Sequence, residues 1–192
     1  MASDDLNSKF DEIEGLVALV QEGDSDAFAK LYDILINPIY RYVYFKVNSN
    51  DAEDLVETVF LKVWENIRQY SPKKKSFTAW VFRIAHNLVV DYYRGLSDKV
   101  VGELPFDVPD QTREHNPIKT TQRSLDKEIL KIALSKISSK YRDIIVYKFI
   151  NELSNQEIAE ILGKSEGSLR ILQFRALKAL KDVLGEMGVM YL

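Results

Sequence analysis

Cysteine is missing from this chain of 192 residues, and histidine occurs only twice. The lack of cysteine excludes disulfides and thiolate metal sites. The two histidines, His86 and His115, lie far apart in the sequence, and neither belongs to an E-x-x-H or H-x-x-x-H pattern. We therefore expect no metal and no other cofactor.

Long apolar runs are also missing. No stretch approaches the roughly 18 uninterrupted apolar residues that a membrane span needs. The N-terminal sequence "MASDDLNSKFDEIEGLVALVQEGD" is acidic, whereas a signal peptide begins with basic residues and continues into an apolar core. These absences predict a soluble protein that lies in the cytoplasm and does not insert into a membrane.

Apolar residues recur every three or four positions, and no convincing alternation with period two appears. The segment "DAFAKLYDILI" and the segment "DAEDLVETVFLKVWENI" both carry such an apolar stripe, which is typical of amphipathic helices. Asp51 is the predicted N-cap of the second of these helices. A further helix is predicted from Phe77 to Arg94, ending at Gly95. The pattern predicts an all-α protein.

The helical periodicity fades between residues 96 and 124, where three of the five prolines lie. A loop of this length within one compact domain is uncommon, so the stretch is better explained as a flexible linker. We predict two small helical domains, residues 1–95 and 125–192, joined by the linker 96–124.

Charge is unevenly distributed along the chain, whose formal net charge is −3. Residues 1–33 are strongly acidic, whereas residues 68–94 and the segment from Lys164 onward are rich in lysine and arginine. An acidic chain with two separate basic patches is compatible with binding to nucleic acid as part of a larger assembly.

The segment "ELSNQEIAEILGKSEGSLRILQFRALKAL" predicts a helix-turn-helix. Ser154 and Glu157 have the spacing of a capping box, Gly163 ends the first helix, and Ser165 caps the second. In this motif the second helix enters the major groove of DNA. A helical hairpin with a solvated basic face is the alternative. The residues predicted to contact DNA are Lys164, Ser165, Glu166, Ser168, Arg170, Ile171, Phe174, Arg175 and Lys178.

The stretch "SPKKKSFTAWVFRIAHNLVVDYYRG", residues 71–95, combines a lysine triplet with five aromatic side chains. Aromatic rings and guanidinium groups stack on unpaired bases, while lysines follow the phosphate backbone. Arg83, Asn87, Asp91 and Arg94 form a polar stripe on the predicted helix. For any one ring the pattern favours a place in the core over stacking, whereas for the segment as a whole it favours binding of single-stranded nucleic acid.

Three motifs in this order, "DAEDLVETVFLKVW", "FTAWVFRIAHNLVVDYYR" and "LSNQEIAEILGKSEGSLRILQFRAL", resemble the extracytoplasmic-function (ECF) sigma factors of bacterial RNA polymerase. The first two resemble parts of conserved region 2 and the third resembles region 4. The resemblance implies a non-catalytic specificity subunit that binds core polymerase through the clamp helices of its largest subunit and through its flap region. It also implies binding to promoter DNA and control by an anti-sigma factor.

The resemblance also implies which residues carry each task. Binding to core polymerase is assigned to Asp51, Asp54, Leu55, Glu57, Thr58 and Leu61. Recognition and melting of the −10 element are assigned to Tyr70, Lys73, Lys74, Lys75, Trp80, Arg83, Asn87, Asp91 and Arg94. Region 4, with the residues of the predicted second helix given above, reads the −35 element. The chain departs from the family at Glu57-Thr58, where Gln-Glu is common, and at Ile171 and Leu172, which replace a small polar residue and an arginine.

Two other functions are compatible with parts of the sequence. A helix-turn-helix regulator, with an N-terminal half that senses a ligand or dimerises, would bind duplex DNA without polymerase. An all-α, Mg²⁺-dependent nucleotide hydrolase could use Glu53, Asp54 and Glu57 as ligands. No second acidic cluster is evident on a partner helix, which disfavours the hydrolase.

Overall fold

The computed structural model describes residues 2–72, 76–99 and 122–189, with side chains from residue 11 to 96 and from 125 to 189 within these ranges. The described residues form helices and no strand, as predicted. The α-helices are α1 (Ala2–Glu22), α2 (Ser25–Tyr44), α3 (Ser49–Asn66), α4 (Phe77–Lys99), α5 (Gln122–Lys136), α6 (Ser139–Ile145), α7 (Asn155–Leu162) and α8 (Glu166–Glu186). A 3₁₀ turn (Ile67–Gln69) follows α3, and a π-helical stretch (Val146–Ile150) follows α6.

Two predicted helix boundaries are wrong. Helix α3 begins at Ser49, so Asp51 lies inside its first turn rather than at the N-cap. Helix α4 continues through Gly95 to Lys99. A C-cap glycine adopts a left-handed conformation with positive φ, which Gly95 does not. Gly95 therefore lies within the helix instead of ending it.

Helices α1 to α4 form the first block of the fold. Their apolar stripes meet in a core whose fully buried members include Leu31, Ile39, Val59 and Phe82. Helix α2 begins at an Asp24 cap, where Oδ1 accepts hydrogen bonds from the backbone nitrogens of Asp26 and Ala27 at 2.8 and 3.0 Å. Asp11, Glu12 and Glu22 are exposed on α1, while the helix packs on α2.

Helices α5 to α8 form the second block. The buried Arg142 of α6 donates from Nε to the carbonyl of Leu134 at 2.8 Å and from Nη2 to that of Ser135 at 3.0 Å. These carbonyls belong to the last turn of α5, where the helix itself offers no donor. A buried cation therefore fixes the angle between α5 and α6.

The two blocks pack directly against each other and share one apolar core. The rings of Tyr42 in α2 and Tyr147 after α6 are stacked, with centroids 4.9 Å apart and planes 7° apart. Nδ1 of His86 lies 3.2 Å from the hydroxyl of Tyr42 and 3.1 Å from that of Tyr147. The sequence predicted two domains and a linker but did not predict this contact. Linker residues 100–121 lie outside the described part of the chain.

Candidate nucleic-acid interface

Helices α7 and α8 form the predicted helix-turn-helix, and the local signals that predicted it are all present. The backbone nitrogen of Glu157 donates to Oγ of Ser154 at 3.1 Å, and that of Ser154 donates to Oε2 of Glu157 at 2.8 Å. Gly163 ends α7 with φ of 63°, a conformation that glycine adopts without strain. Nε2 of Gln173 donates to Oδ1 of Asn155 at 2.8 Å, which ties the second helix to the first.

The outer face of α8 is exposed. Leu169 and Ala176 are buried on the opposite face, which fixes the helix in the block. Ser165 and Ser168 are engaged in the cap, because the hydroxyl of Ser168 donates to the Ser165 carbonyl at 2.7 Å. The remaining residues predicted to contact DNA are exposed: Lys164, Glu166, Arg170, Ile171, Phe174, Arg175 and Lys178.

A cavity of about 350 Å³ lies between the start of α4 and the segment that follows α3. It is lined by Gln69, Tyr70, Ser71, Trp80, Arg83, Ile84 and Asn87. Four of the residues assigned to the −10 element therefore meet at one site. Gln69, Ser71 and Ile84 were not predicted as site residues, although Gln69 and Ser71 flank Tyr70 and Ile84 follows Arg83. The assigned lysines 73, 74 and 75 lie outside the described residues.

The aromatic walls of this cavity also belong to the core. Tyr70 is only 6% exposed, and its ring packs edge-on against Phe77 with centroids 5.1 Å apart. Trp80 is half-buried, with its ring roughly parallel to that of Phe77 at 5.5 Å. Tyr70 is therefore mainly a core residue, as the sequence allowed for any single ring of this segment. Burial leaves little of the Tyr70 ring available to a ligand, whereas the half-buried ring of Trp80 is partly accessible.

Helix α1 holds the segment that carries Tyr70. Oε1 of Glu14 accepts hydrogen bonds from the hydroxyl of Tyr70 at 2.6 Å and from the backbone nitrogen of Phe77 at 3.1 Å. Gln21 donates from Nε2 to the carbonyls of Ile67 at 2.8 Å and Tyr70 at 3.0 Å. Burial and the hydrogen bond to Glu14 raise the pKa of the Tyr70 hydroxyl. The acidic N-terminal helix is thus the support of the cavity wall.

The second block touches this region of the first. Nη1 of Arg83 donates to the carbonyl of Glu160 in α7 at 3.1 Å. Oε2 of Glu160 accepts from the backbone nitrogen of Ser76 at 3.2 Å. In this closed arrangement, α7 lies beside the cavity and bonds Arg83, the basic residue of the cavity lining. The other stripe residues, Asn87, Asp91 and Arg94, are exposed, and the last two form an ion pair with Nη1 and Oδ1 3.3 Å apart.

The outer face of α3 carries most of the residues assigned to core polymerase. Asp54, Glu57 and Leu61 are exposed, the last at 58%, and lie three or four residues apart on one side of the helix. Thr58 is half-buried and donates from Oγ1 to the carbonyl of Asp54 at 2.8 Å. Leu55 packs against the core instead.

Asp51 is not free on the α3 surface. Its Oδ2 accepts a hydrogen bond from the hydroxyl of Tyr92 in α4 at 2.6 Å. This bond joins the start of α3 to α4 and raises the pKa of the Tyr92 hydroxyl together with burial, which is the larger cause. The geometry therefore gives Asp51 a structural contact within the first block.

The side chains that the structure describes include no group of three or more acidic or histidine residues placed to hold a metal ion. Helices long and apolar enough to cross a membrane are likewise not found in the part of the chain that the structure describes.

Two protein-family models match the chain, Sigma-70 region 2 over residues 31–98 and Sigma-70 region 4 over residues 127–180. The ECF RNA polymerase sigma factor SigW of Bacillus subtilis is 31% identical over 189 residues, covering 91% of this chain and 98% of that protein. The ECF RNA polymerase sigma factor BldN of Streptomyces coelicolor is 31% identical over 173 residues. The match covers 88% of this chain but only 64% of BldN.

Solved structures share the fold. CnrH in complex with the cytosolic domain of CnrY has a TM-score of 0.70 at 23% identity, covering 91% of this chain and 98% of that one. The sigma factor RpoE in complex with the anti-sigma factor NepR from Bartonella quintana has a TM-score of 0.68 at 19% identity, covering 82% of this chain and 96% of that one. With both regions matched in order and a relative aligned over nearly its whole length, the chain belongs to the ECF sigma factors of RNA polymerase, which direct transcription initiation.

Proposed function

We propose that residues 1–95 bind core polymerase and open the −10 element, that residues 125–192 read the −35 element, and that residues 96–124 link them. The observation that carries this proposal is the cavity beside α4. It is lined by the rings of Tyr70 and Trp80, the guanidinium of Arg83 and the amide of Asn87. Such a combination suits a base extruded from the duplex, because the half-buried ring of Trp80 and the guanidinium plane of Arg83 can stack on it while the amide of Asn87 bonds its edge.

Docking to core polymerase is proposed for the outer face of α3. Asp54 and Glu57 present carboxylates beside the exposed side chain of Leu61. Carboxylates steer association with a basic surface, and an exposed aliphatic group one turn further along the helix adds apolar contact when water is excluded. The subunit has no catalytic task in this scheme, and it works in the cytoplasm alongside the polymerase.

Engagement of both promoter elements requires the two blocks to separate. The positions −10 and −35 are 25 base pairs apart by definition, roughly 85 Å of duplex at 3.4 Å per base pair. In the closed arrangement, α7 is bonded directly to α4 through Arg83 and Glu160. We propose that core polymerase stabilises an open form and that an anti-sigma factor opposes it. RpoE, which shares this fold, forms a complex with the anti-sigma factor NepR.

The proposal is tested by run-off transcription on a genomic promoter library with and without core polymerase. Holoenzyme should transcribe specific promoters, whereas the free chain should bind none of them. Asn87→Ala should reduce strand opening, measured by permanganate reactivity of thymines, and Arg170→Ala should reduce selection of the −35 element. Asn37→Ala and Arg41→Ala, which alter exposed residues of α2, are the matched controls.

Different failures have different meanings. Specific duplex binding by the free chain, with no response to core polymerase, would favour a helix-turn-helix regulator. Normal strand opening in Asn87→Ala, or normal −35 selection in Arg170→Ala, would contradict the residue roles without contradicting the family.

A further inference from the structure

An apolar ridge lies on the outer face of α8. Ile171 is 57% exposed and Phe174 is 71% exposed, the latter the highest value among the large exposed apolar side chains described. Both lie in the first half of the helix, within nine residues of its Ser165 cap. An apolar side chain that is left in water on a helix expected to contact DNA indicates contact with an apolar group there.

Cations surround this ridge. Arg170, Arg175 and Lys178 are exposed, and each lies four positions from Ile171 or Phe174, so they share its side of the helix. Such a surface would leave cations unpaired against an apolar protein partner, which is costly, but it complements the phosphates on either side of a DNA groove. The second block leaves this face open, since α8 packs on α5, α6 and α7 with its opposite side.

The bases of the major groove offer one apolar group, the C5 methyl of thymine. Ile171 and Phe174 are separated by about 4.5 Å along the helix axis, because each residue rises 1.5 Å. Base pairs rise 3.4 Å. The two side chains can therefore meet methyl groups on neighbouring or next-neighbouring base pairs.

We propose that Ile171 and Phe174 read thymine methyl groups, so that this protein selects a −35 element containing thymine at the positions that face α8. This inference rests on the proposed reading of the −35 element by α8. It adds a direct apolar readout to the hydrogen bonds that Arg170 and Arg175 can make to base edges and phosphates.

The test uses holoenzyme and a promoter library with a randomised −35 segment, prepared once with dTTP and once with dUTP. Deoxyuridine keeps the hydrogen-bonding edge of thymine and lacks only the methyl group. Selection from the dTTP library should enrich thymine at one or two positions. Selection from the dUTP library should enrich deoxyuridine at the same positions less strongly. The enrichment should fall by about fourfold for each buried methyl group that is lost.

Variants assign the effect to the ridge. In Phe174→Ala and Ile171→Ser the preference for thymine over deoxyuridine should disappear at one position each, while other preferences remain. Both side chains are largely exposed, so these changes should leave the fold intact. Leu125→Ala, which alters another exposed apolar residue of the second block, should retain the full thymine preference.

Three results would overturn the inference. Equal enrichment in the thymine and deoxyuridine libraries would leave −35 reading in place but remove the methyl contact. A thymine preference that survives both ridge variants would assign the ridge to another partner, such as a protein. Active holoenzyme with no enrichment in the randomised segment would refute the proposed −35 reading itself, and the inference with it.

Discussion

Nζ of Lys46 lies 2.7 Å from Oδ1 of Asp143, although the two residues are 97 positions apart in the sequence. The side chains are 2% and 8% exposed, and Nζ also donates to Oγ of Ser139 at 3.2 Å. Burial lowers the pKa of Lys46, and the charge of Asp143 opposes that shift. Because Lys46 follows α2 and Asp143 lies in α6, this buried ion pair connects the two blocks in the closed form.

Removal of one partner of this pair should open the closed form. In Asp143→Ala, a buried ammonium group would lose its counter-charge, and breaking a buried pair in this way costs about 3–5 kcal/mol. The expected result is a longer distance between the blocks. It can be measured by electron–electron double resonance between spin labels on Ala29→Cys and Lys181→Cys. The natural sequence contains no cysteine, so only these two positions are labelled.

The matched controls separate charge from packing. Asp126→Ala removes an exposed carboxylate of α5 and should leave the distance unchanged. The double variant Lys46→Met with Asp143→Leu replaces the pair by apolar groups and should stay closed, because an apolar pair avoids the cost of burying charge. If circular dichroism shows that Asp143→Ala is folded and the distance between its spin labels is unchanged, the ion pair does not govern closure.

Mild acid should also favour opening, through His86. Burial lowers the pKa of His86 from its usual value of about 6.5 and is the largest cause. The groups that face it are the hydroxyls of Tyr42 and Tyr147, the carboxylate of Asp143, which raises its pKa, and the cations Lys46 and Arg83, which lower it. Below pH 6.5 the open form therefore binds more protons than the closed form, and closure weakens as the pH falls.

The same spin-label distance, measured at pH 7.5 and pH 5.5, checks this expectation. The closed fraction should be smaller at pH 5.5, and His86→Gln should reduce the difference. His115→Gln changes the other histidine of the sequence and should retain the pH response. A pH response that persists in His86→Gln would assign the titration to another group.

The helix-turn-helix was predictable because its signals are local. Ser154, Glu157, Gly163 and Ser165 act on backbone groups within three or four residues, so their spacing in the sequence determines their hydrogen bonds. The exposed face of α3 was predictable for the same reason, since helical periodicity separates Asp54 from Val56.

Contacts between distant segments were not predictable from such spacing. Nothing near Lys46 or Asp143 distinguishes them from solvated charges, and burial comes only from the packing of one block on the other. Tyr70 was assigned to DNA through the resemblance to region 2, yet its hydroxyl bonds Glu14, which is 56 residues away. Asp51 likewise is engaged by Tyr92, which the periodicity of α3 could not indicate.

Loss of the Glu14 carboxylate should destabilise the first block and loosen the cavity wall. Glu14→Ala removes the hydrogen bonds that the Glu14 carboxylate accepts from the Tyr70 hydroxyl and the Phe77 nitrogen, and loss of the acceptor of a part-buried donor costs about 1–3 kcal/mol. The free energy of unfolding in urea should fall by this amount, and opening of the −10 element by holoenzyme should decline with it.

Two further variants test whether the hydrogen bonds cause this loss. Glu12→Ala removes an exposed carboxylate two positions away on α1 and should change stability little. Tyr70→Phe in the Glu14→Ala background removes the hydroxyl that has lost its bond to Glu14 and should recover part of the stability. Equal destabilisation by Glu12→Ala would point to the charge of α1 rather than to its contacts.

Charge reversal on α3 should weaken binding to core polymerase. Glu57→Lys places a cation on the face proposed to meet a basic surface, and like-charge contact costs enough to weaken binding by at least about tenfold. Leu61→Ala should weaken it through lost apolar contact, since that side chain is 58% exposed and free to meet a partner. Sedimentation with core polymerase measures both affinities. Added salt should reduce the loss of affinity caused by Glu57→Lys, because salt screens charges, but not the loss caused by Leu61→Ala. Asp11→Lys makes the same charge change on α1, so equal weakening by that variant would show that net charge, rather than the face of α3, determines the affinity.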